Sequence, residues 1–320
     1  MTSPEQAFEP QPYPNLVKLN LAIGPDCPIR CEGCYNVFAG PDDELVTADD
    51  VIGFAAAASE AIDVDQITLS GGDPLHHPEV VDIVQGVRPF TSFLQMDTVG
   101  TALLADTPVL YKGRSRGAAI PRIAIDQVAD SLDLVSLPLD EGGSRSLAFR
   151  KGRANLFEET IDAVDLLKEA HVPVGFNTVV TAANIGNLLL LREVAEQMRI
   201  DTWQLYQFDP YGPNPSKKQA ALQVGNEEFR AATERIESEI LVEGYAVLSP
   251  WITVKSLQER LGSYIMIGAN GIAQRESLIQ VREGFAKRYD TIGHIVRDEG
   301  VVLNAIVNHA RHTPASYAAV

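Results

Sequence analysis

The stretch Cys27-Pro-Ile-Arg-Cys31-Glu-Gly-Cys34 contains all three cysteines of the 320-residue chain. It follows the short apolar run Asn15–Ile23, which is typical of a buried β-strand. The three thiols are therefore predicted to lie in a loop at the carboxyl end of a strand, where α/β proteins place their chemistry. Structural cysteines are instead scattered over strand and helix faces. The pattern indicates thiolates that converge on a metal.

Five further apolar runs of strand length follow this loop: Gln66–Leu69, Thr91–Gln95, Leu132–Leu137, Val172–Val180 and Thr202–Phe208. Helical patterns lie between most of them. One begins at Thr47, which can form a capping box with Asp50, and others cover Leu156–Ala170 and Ile185–Met198. Strand–helix–strand alternation predicts parallel pairing with right-handed crossovers. Six such units form either a doubly wound sheet or an open barrel.

Zinc and an iron–sulfur cluster are the two metal centres considered for these thiolates. Structural zinc takes four ligands, so His76 or His77 would have to supply the fourth. A [4Fe–4S] cluster normally uses four thiolates. With three, one iron stays open to bind a substrate or cofactor. The spacing favours the cluster.

The Cys-x3-Cys-x2-Cys spacing after the first strand resembles the radical S-adenosylmethionine (radical SAM) superfamily. The second strand ends in Ser70-Gly-Gly-Asp-Pro74, which is similar to the superfamily's Gly-Gly-Glu-Pro motif. The resemblance implies an α/β fold, a partial TIM-type (β/α)6 barrel over residues 15–209. A flexible tail, 1–14, would precede it. An extension, 210–320, would close the barrel and contribute to the substrate site.

The resemblance also implies the cofactors. Cys27, Cys31 and Cys34 would ligate a [4Fe–4S] cluster whose open iron binds S-adenosylmethionine. A one-electron reductant such as flavodoxin or ferredoxin would drive cleavage to a 5′-deoxyadenosyl radical. Further contacts to S-adenosylmethionine are expected from residues near the strand ends: Tyr35, Gly71, Gly72, Asp73, Pro74, Ser136, Arg150 and Asn177. Within the superfamily, segments such as Trp203–Phe208 resemble viperins and relatives of the molybdopterin-pathway enzyme.

Two locally basic stretches, Lys112–Arg116 and Arg145–Arg153, stand out against a net charge of −17. They are either solvated surface or an anion pocket. An anion pocket is an alternative because the planar guanidinium group of arginine donates paired hydrogen bonds to phosphate and carboxylate groups. An anion pocket would make the substrate a phosphorylated metabolite, nucleotide or nucleotide-sugar. Its candidate ligands are Arg114, Arg116, Lys151 and Gln204. Tyr206 and Tyr211 are candidates to pass a hydrogen atom to a product radical.

Composition excludes several other classes of protein. The net charge of −17 disfavours general binding of nucleic acid or anionic lipid. No apolar run approaches the roughly 20 residues that span a bilayer. Three clustered cysteines differ from the even, dispersed set of a secreted disulfide framework, so we expect a reducing, cytoplasmic location.

Three functions stay open at the level of sequence. The first is a radical SAM enzyme that abstracts hydrogen from a small anionic metabolite. The second is an activating enzyme that installs a glycyl radical on a partner protein. The run Cys31-Glu-Gly-Cys34-Tyr-Asn36 resembles that of such activating enzymes. The third is a zinc-stabilised scaffold without enzymatic activity.

Overall fold

The computed structural model describes residues 17–34, 43–111, 113–141, 149–210, 219–242, 251–257, 265–281 and 284–312. Tyr35 and Tyr211, two of the predicted site residues, lie outside these ranges. The tail predicted for residues 1–14 also lies outside them.

The described strands form one ten-stranded sheet, most of which is parallel. Seven parallel strands neighbour one another in chain order. They are β1 (Val17–Gly24), β3 (Val64–Gly71), β4 (Phe93–Asp97), β7 (Leu134–Pro138), β9 (Val174–Val180), β10 (Thr202–Gln207) and β11 (Trp251–Lys255). The first six correspond to the six runs predicted from the sequence. The order confirms a partial barrel of the TIM type.

Residues from the predicted extension lengthen both edges of this sheet. β11 lies beyond β10, and β12 (Ile265–Ile267) pairs in parallel with β1 at the other edge. The antiparallel strands β13 (Ile272–Val281) and β14 (Gly284–His294) continue from β12. β11 and β14 are therefore the ends of the sheet, and the described strands do not form a closed barrel.

Helices cover the apolar face of the sheet. They are α1 (Ala48–Ala61), α2 (Val80–Val87), α3 (Thr101–Leu104), α4 (Leu156–Glu169), α5 (Leu188–Gln197), α6 (Gln219–Leu222), α7 (Asn226–Val242) and α8 (Glu299–His312). The capping box predicted at the start of α1 is present, with Thr47 Oγ1 accepting from the Asp50 amide at 3.2 Å. No described helix is long and apolar enough to cross a membrane.

The sheet curves strongly across its parallel part. Five strands separate β1 from β11, which in a flat sheet would place them about 29 Å apart. Yet the charge of Lys255 on β11 lowers the pKa of Lys18 on β1, after burial as the larger cause. Two lysines interact in this way only where the sheet bends them toward a shared interior.

Two small antiparallel elements flank the cysteine loop. The hairpin of β5 (Thr107–Tyr111) and β6 (Arg114–Ile120) lies between α3 and β7 in the chain. β2 (Arg30–Cys31), inside the cysteine loop, pairs with β8 (Arg150–Lys151). The two basic stretches of the sequence thus contribute β6 and β8.

Candidate active site

The cysteine loop is fixed by backbone hydrogen bonds from both flanking elements. The Cys27 amide donates to the Leu110 carbonyl of β5 at 2.8 Å. On the other side, the Glu32 amide donates to the Phe149 carbonyl at 2.9 Å, next to the β2–β8 pairing. The loop therefore has a defined path, and its three cysteines are partly exposed.

The glycine pair at the end of β3 allows a close approach to this loop. The Gly72 amide donates to the Gly24 carbonyl and the Asp73 amide to the Asp26 carbonyl, both at 2.7 Å. A Cβ on Gly72 would overlap the carbonyl of Asp26, and Gly71 has a φ of 135°. Only glycines fit both positions without strain. The motif holds the end of β3 against the cysteine loop.

Asp73 joins this motif to the loop after β4. Its buried carboxylate accepts from Thr98 Oγ1 at 2.5 Å and from the amides of Val99 and Leu75, both at 3.2 Å. Burial raises the pKa of Asp73, and these hydrogen bonds oppose the rise. Pro74 follows at the start of a short 3-10 turn. The carboxylate therefore positions two loops at the carboxyl edge of the sheet.

A second carboxylate, Asp97 at the end of β4, gathers polar side chains from neighbouring strands. It accepts hydrogen bonds from Gln95 Nε2 at 2.6 Å, from Ser136 and from Asn177. Burial raises the pKa of Asp97 to about 6. The Oδ1 atom of Asn177 is buried and has no hydrogen-bond partner among the described residues. Leaving such an acceptor unpaired costs about 1–3 kcal/mol, so this oxygen is available to a bound ligand's donor.

Strands β10 and β11 continue this polar face. Gln204 lies opposite Asn177 on one side and Thr253 on the other. The Tyr206 hydroxyl donates to Gln204 Oε1 at 2.7 Å, so both predicted residues share one face. Thr253 Oγ1 is buried and lacks a hydrogen-bond partner in the described part of the chain.

Strand register extends the polar face across the whole curved sheet. Its members are Lys18, Asn20, Gln66, Thr68, Ser70, Gln95, Asp97, Ser136, Asn177, Gln204, Tyr206, Thr253 and Lys255. Along β1 and the middle of β3 these residues stay partly accessible, while their alternate neighbours are buried under helices. TIM barrels usually fill their interior with branched apolar side chains. Here the inner face of the curved sheet carries these polar side chains, and we call this face the polar chamber.

The sequence profile of the Radical SAM superfamily matches residues 21–185, which is just over half of the chain. This protein belongs to the radical SAM superfamily. It is therefore an enzyme, and members of the superfamily use a [4Fe–4S] cluster and S-adenosylmethionine. The matched residues include the cysteine loop, the glycine pair and β4, β7 and β9.

Similarity to individual radical SAM proteins is more distant. The pre-heme d1 synthase of Dinoroseobacter shibae is 26% identical over 187 residues, covering 56% of this chain and 40% of that protein. The PqqA peptide cyclase of Gluconobacter oxydans is 23% identical over 224 residues, 69% of this chain and 57% of that protein. The chain thus spans about half the length of these relatives.

A solved radical SAM structure shows the same fold. The structure of anSMEcpe with bound AdoMet and a Cp18Cys peptide has a TM-score of 0.62 and 13% sequence identity. The match covers 96% of this chain and 82% of that one. At this identity the likeness is evidence for the fold alone.

The cysteine loop fits the cluster of a radical SAM enzyme by its donor chemistry. Burial raises the pKa of Cys31 to about 12, and Arg150, whose Nη1 lies 3.7 Å from Cys31 Sγ, opposes the rise. Cys34 raises the pKa of Cys31 and of Cys27, so the three thiols lie within electrostatic range. No three described His, Cys, Asp or Glu side chains are already gathered as a metal site. Three soft thiolates are the donors that iron–sulfur clusters prefer.

The basic residues predicted to bind substrate lie mostly beside the cysteine loop. Arg116 pairs with Asp26 at 2.7 Å, and Lys151 pairs with Glu32. Arg150 pairs with the buried Asp140 as well as contacting Cys31. Arg114 is exposed on β6. Of the substrate residues predicted from sequence, the structure brings Gln204 into the polar chamber.

Sequence reasoning gave no site role to Lys18 or Asp97 and considered His76 as a zinc ligand. Lys18 alternates with apolar residues within the run Asn15–Ile23, and Asp97 continues the alternation two residues beyond the run Thr91–Gln95, so the alternation itself could have revealed both. His76 is buried, and neither ring nitrogen has a hydrogen-bond partner among the described residues. Burial lowers its pKa, and nearby Asp73 opposes that effect. No local sequence signal marks His76 as buried.

Proposed function

We propose that this radical SAM enzyme abstracts hydrogen from a small anionic metabolite bound inside the partial barrel. The class includes nucleotides, nucleotide-sugars and sugar phosphates. The observation that carries the proposal is the polar chamber, with a lysine on each side of its interior. Barrels of this type carry their active sites at the carboxyl ends of the strands, and the cysteine loop follows the carboxyl end of β1.

Lys18 and Lys255 supply the positive charge of the chamber. Burial and, to a smaller extent, repulsion from Lys255 lower the pKa of Lys18 to about 8, while Asp65 opposes both effects. Two ammonium groups that repel each other in one interior are stabilised by an anion between them. A phosphate or carboxylate group of the substrate would supply that anion. Lys255 belongs to the segment 210–320, which supports a contribution of this segment to the substrate site.

The other roles follow from position at the strand ends. Cys27, Cys31 and Cys34 would hold the cluster, with Arg150 beside them. When bound, the cluster and S-adenosylmethionine supply a 5′-deoxyadenosyl radical by reductive cleavage. Residues that surround the place expected for S-adenosylmethionine are Gly71, Gly72, Asp73, Pro74, Ser136 and Asn177. Asp97, with a pKa of about 6, can hold or release a proton on its carboxylate at neutral pH.

The first experiment measures 5′-deoxyadenosine after anaerobic reconstitution with iron and sulfide and reduction with dithionite. We expect iron incorporation and cleavage in the wild type, and at least a 100-fold lower rate in Cys31→Ala. Equal rates in the two proteins would disprove the proposal. Zinc at one per chain, without iron uptake, would instead support the scaffold interpretation.

A second experiment tests the anionic substrate. Nucleotides, nucleotide-sugars and sugar phosphates are screened for stimulated cleavage and for deuterium transfer into 5′-deoxyadenosine. For a compound that stimulates, Lys18→Met should raise KM about tenfold, whereas Lys18→Arg should keep most of the affinity. Equal KM values in wild type and Lys18→Met would exclude Lys18 from the site.

A peptide is the second candidate substrate. One relative is named a peptide cyclase, and the anSMEcpe structure contains a peptide. The glycyl-radical activating function belongs to the same class, because its substrate is a polypeptide. Stimulation by peptides or by a partner protein, with no response to anionic metabolites, would favour this candidate.

A further inference from the structure

The inner face of the sheet continues beyond β1 onto two strands of the extension. Met266 on β12 lies opposite Asn20, a member of the polar chamber, and Gln274 on β13 lies opposite Met266. Residues that lie opposite each other on paired strands share a face of the sheet, and successive residues alternate between faces. The adjacent pair, Ile267 and Ala273, is buried in the helix-covered core. Met266 and Gln274 therefore face the polar chamber.

Two side chains of the extension carry unpaired polar atoms on this inner face. Gln274 Oε1 is buried and has no hydrogen-bond partner in the described part of the chain, and the same holds for Thr253 Oγ1 on β11. Ile252 and Val254, on either side of Thr253, pack against the helix-covered core, so Thr253 faces the chamber. Buried polar atoms in proteins are nearly always paired. Two exceptions on one inner face indicate groups that pair with a ligand.

Both unpaired groups lie near the lysines of the chamber. Thr253 precedes Lys255 by two residues on β11, which is about 7 Å along a strand. Gln274 lies two strand spacings, about 10 Å, from Asn20, which follows Lys18 by two residues on β1. Lys255 contributes, after burial, to the lowered pKa of Lys18, so the two lysines form one cationic site. This site has one unpaired group on its β11 side and the other on its β13 side.

The two unpaired groups recognise a different chemistry from the lysines. An amide oxygen accepts hydrogen bonds, and a threonine hydroxyl accepts or donates them. They suit the hydroxyl or amino groups of a ligand, whereas the lysines suit its anionic group. Gln274 and Thr253 also lie outside residues 21–185, the part of the chain that matches the superfamily profile. They therefore belong to what distinguishes this protein from other members.

We propose that Gln274 and Thr253 determine substrate specificity by binding hydroxyl or amino groups of an anionic substrate. This inference rests on the proposed function, in which the lysines bind the anionic group. Sugar phosphates and nucleotides both have a phosphate at one end and hydroxyl or amino groups further along the molecule. A site built to hydrogen-bond such groups rejects an analogue that lacks them, because its own polar atoms then stay unpaired.

The test measures ligand affinities of the iron-free protein by isothermal titration calorimetry. Methyl phosphate supplies the anionic group without sugar hydroxyl or amino groups. Two further sets of probes carry the same phosphate monoester: ribose 5-phosphate and glucose 1-phosphate as sugar phosphates, and the four ribonucleoside monophosphates as nucleotides. Gln274→Leu and Thr253→Val remove the unpaired groups at nearly constant size, and Thr253→Ser keeps the hydroxyl. The matched control is Gln197→Leu, which changes an exposed glutamine at the end of α5.

We expect one set of probes to include a ligand that binds the wild type at least about tenfold more tightly than methyl phosphate. That set identifies the substrate class. Gln274→Leu and Thr253→Val should each weaken binding of this ligand at least about fivefold and change the affinity for methyl phosphate less than about twofold. Thr253→Ser and the control should bind as wild type. The two apolar variants should match or exceed the melting temperature of the wild type, because each removes an unpaired buried polar atom.

An unchanged affinity for this ligand in either apolar variant would overturn the role of that residue. A wild type that binds no probe more tightly than methyl phosphate would overturn the whole proposal. So would equal losses of affinity for the ligand and for methyl phosphate together with a lower melting temperature, since the two groups would then be structural. Equal binding of methyl phosphate by wild type and Lys18→Met would instead refute the anion site of the proposed function. In that case Gln274→Leu and Thr253→Val still decide whether these residues bind the hydroxyl or amino groups.

Discussion

The two faces of the same parallel strands differ in what they contribute. Trp203 and Gln204 are neighbours on β10 and project to opposite faces. Trp203 is fully buried in the helix-covered core, where its indole Nε1 donates to Thr178 Oγ1 at 2.8 Å. Gln204 lies in the polar chamber with Tyr206. Burial of apolar area on the helix-covered face stabilises the fold. On the chamber face, the desolvation of polar and charged groups lowers the stability of the fold.

The largest loss of stability is predicted for a substitution on the apolar face. Trp203→Ala should lower the free energy of unfolding by about 3–5 kcal/mol, because it removes a large buried ring and leaves a cavity. Gln204→Ala should cost about 1 kcal/mol, the net value of one hydrogen bond. Urea unfolding of the two variants measures both values. An equal loss in Gln204→Ala would show that the chamber face is part of the packed core.

The next effect concerns the strand ends, where the two faces meet. Asp73→Ala should cost about 2–4 kcal/mol, because the Thr98 hydroxyl and the amides of Val99 and Leu75 lose their acceptor. The matched control is Asp63→Ala, an exposed carboxylate just before the same strand. It should change the free energy of unfolding by less than about 0.5 kcal/mol. Urea unfolding is again the measurement, and similar losses in the two variants would argue against a positioning role for Asp73.

Apolar patterning accounts for what could be predicted of the fold. Six strands follow from runs of apolar residues, and parallel order follows from the helices between them. β11 was not predicted, since a strand of five residues at the edge of a sheet carries little pattern. The position of the cysteines and of the glycine pair at strand ends was predicted because both motifs are local in sequence.

The partners of the charged residues could not be predicted. Lys151 pairs with Glu32, 119 residues away, and Arg116 pairs with Asp26 across the hairpin. Both basic residues are predicted to bind a substrate anion, and the structure shows that each also pairs with a carboxylate in or next to the cysteine loop. Lys18 and Lys255 become neighbours only through the curvature of the sheet. Tertiary geometry, which the sequence pattern does not encode locally, decides which cations face the interior.

The smallest predicted effect is the change of stability with pH that comes from one residue of the polar chamber, Asp97. Its folded pKa of about 6 exceeds the ordinary value of 3.8, so the folded state binds the proton more tightly than the unfolded state. The stability that this proton provides is complete below about pH 4 and is lost as the pH rises through about 6. The full loss amounts to about 3 kcal/mol.

Asp97→Asn removes this titration while keeping a side chain of similar size. The free energy of unfolding of wild type, minus that of Asp97→Asn, should therefore fall by about 2 kcal/mol between pH 4 and pH 7. Urea unfolding of both proteins at half-unit steps of pH measures the difference. A difference that stays constant would mean that Asp97 titrates normally and that the chamber carries no such cost. A falling difference would show that the chamber keeps a carboxylate near neutrality at the expense of stability, as expected where a proton must be exchanged with a substrate.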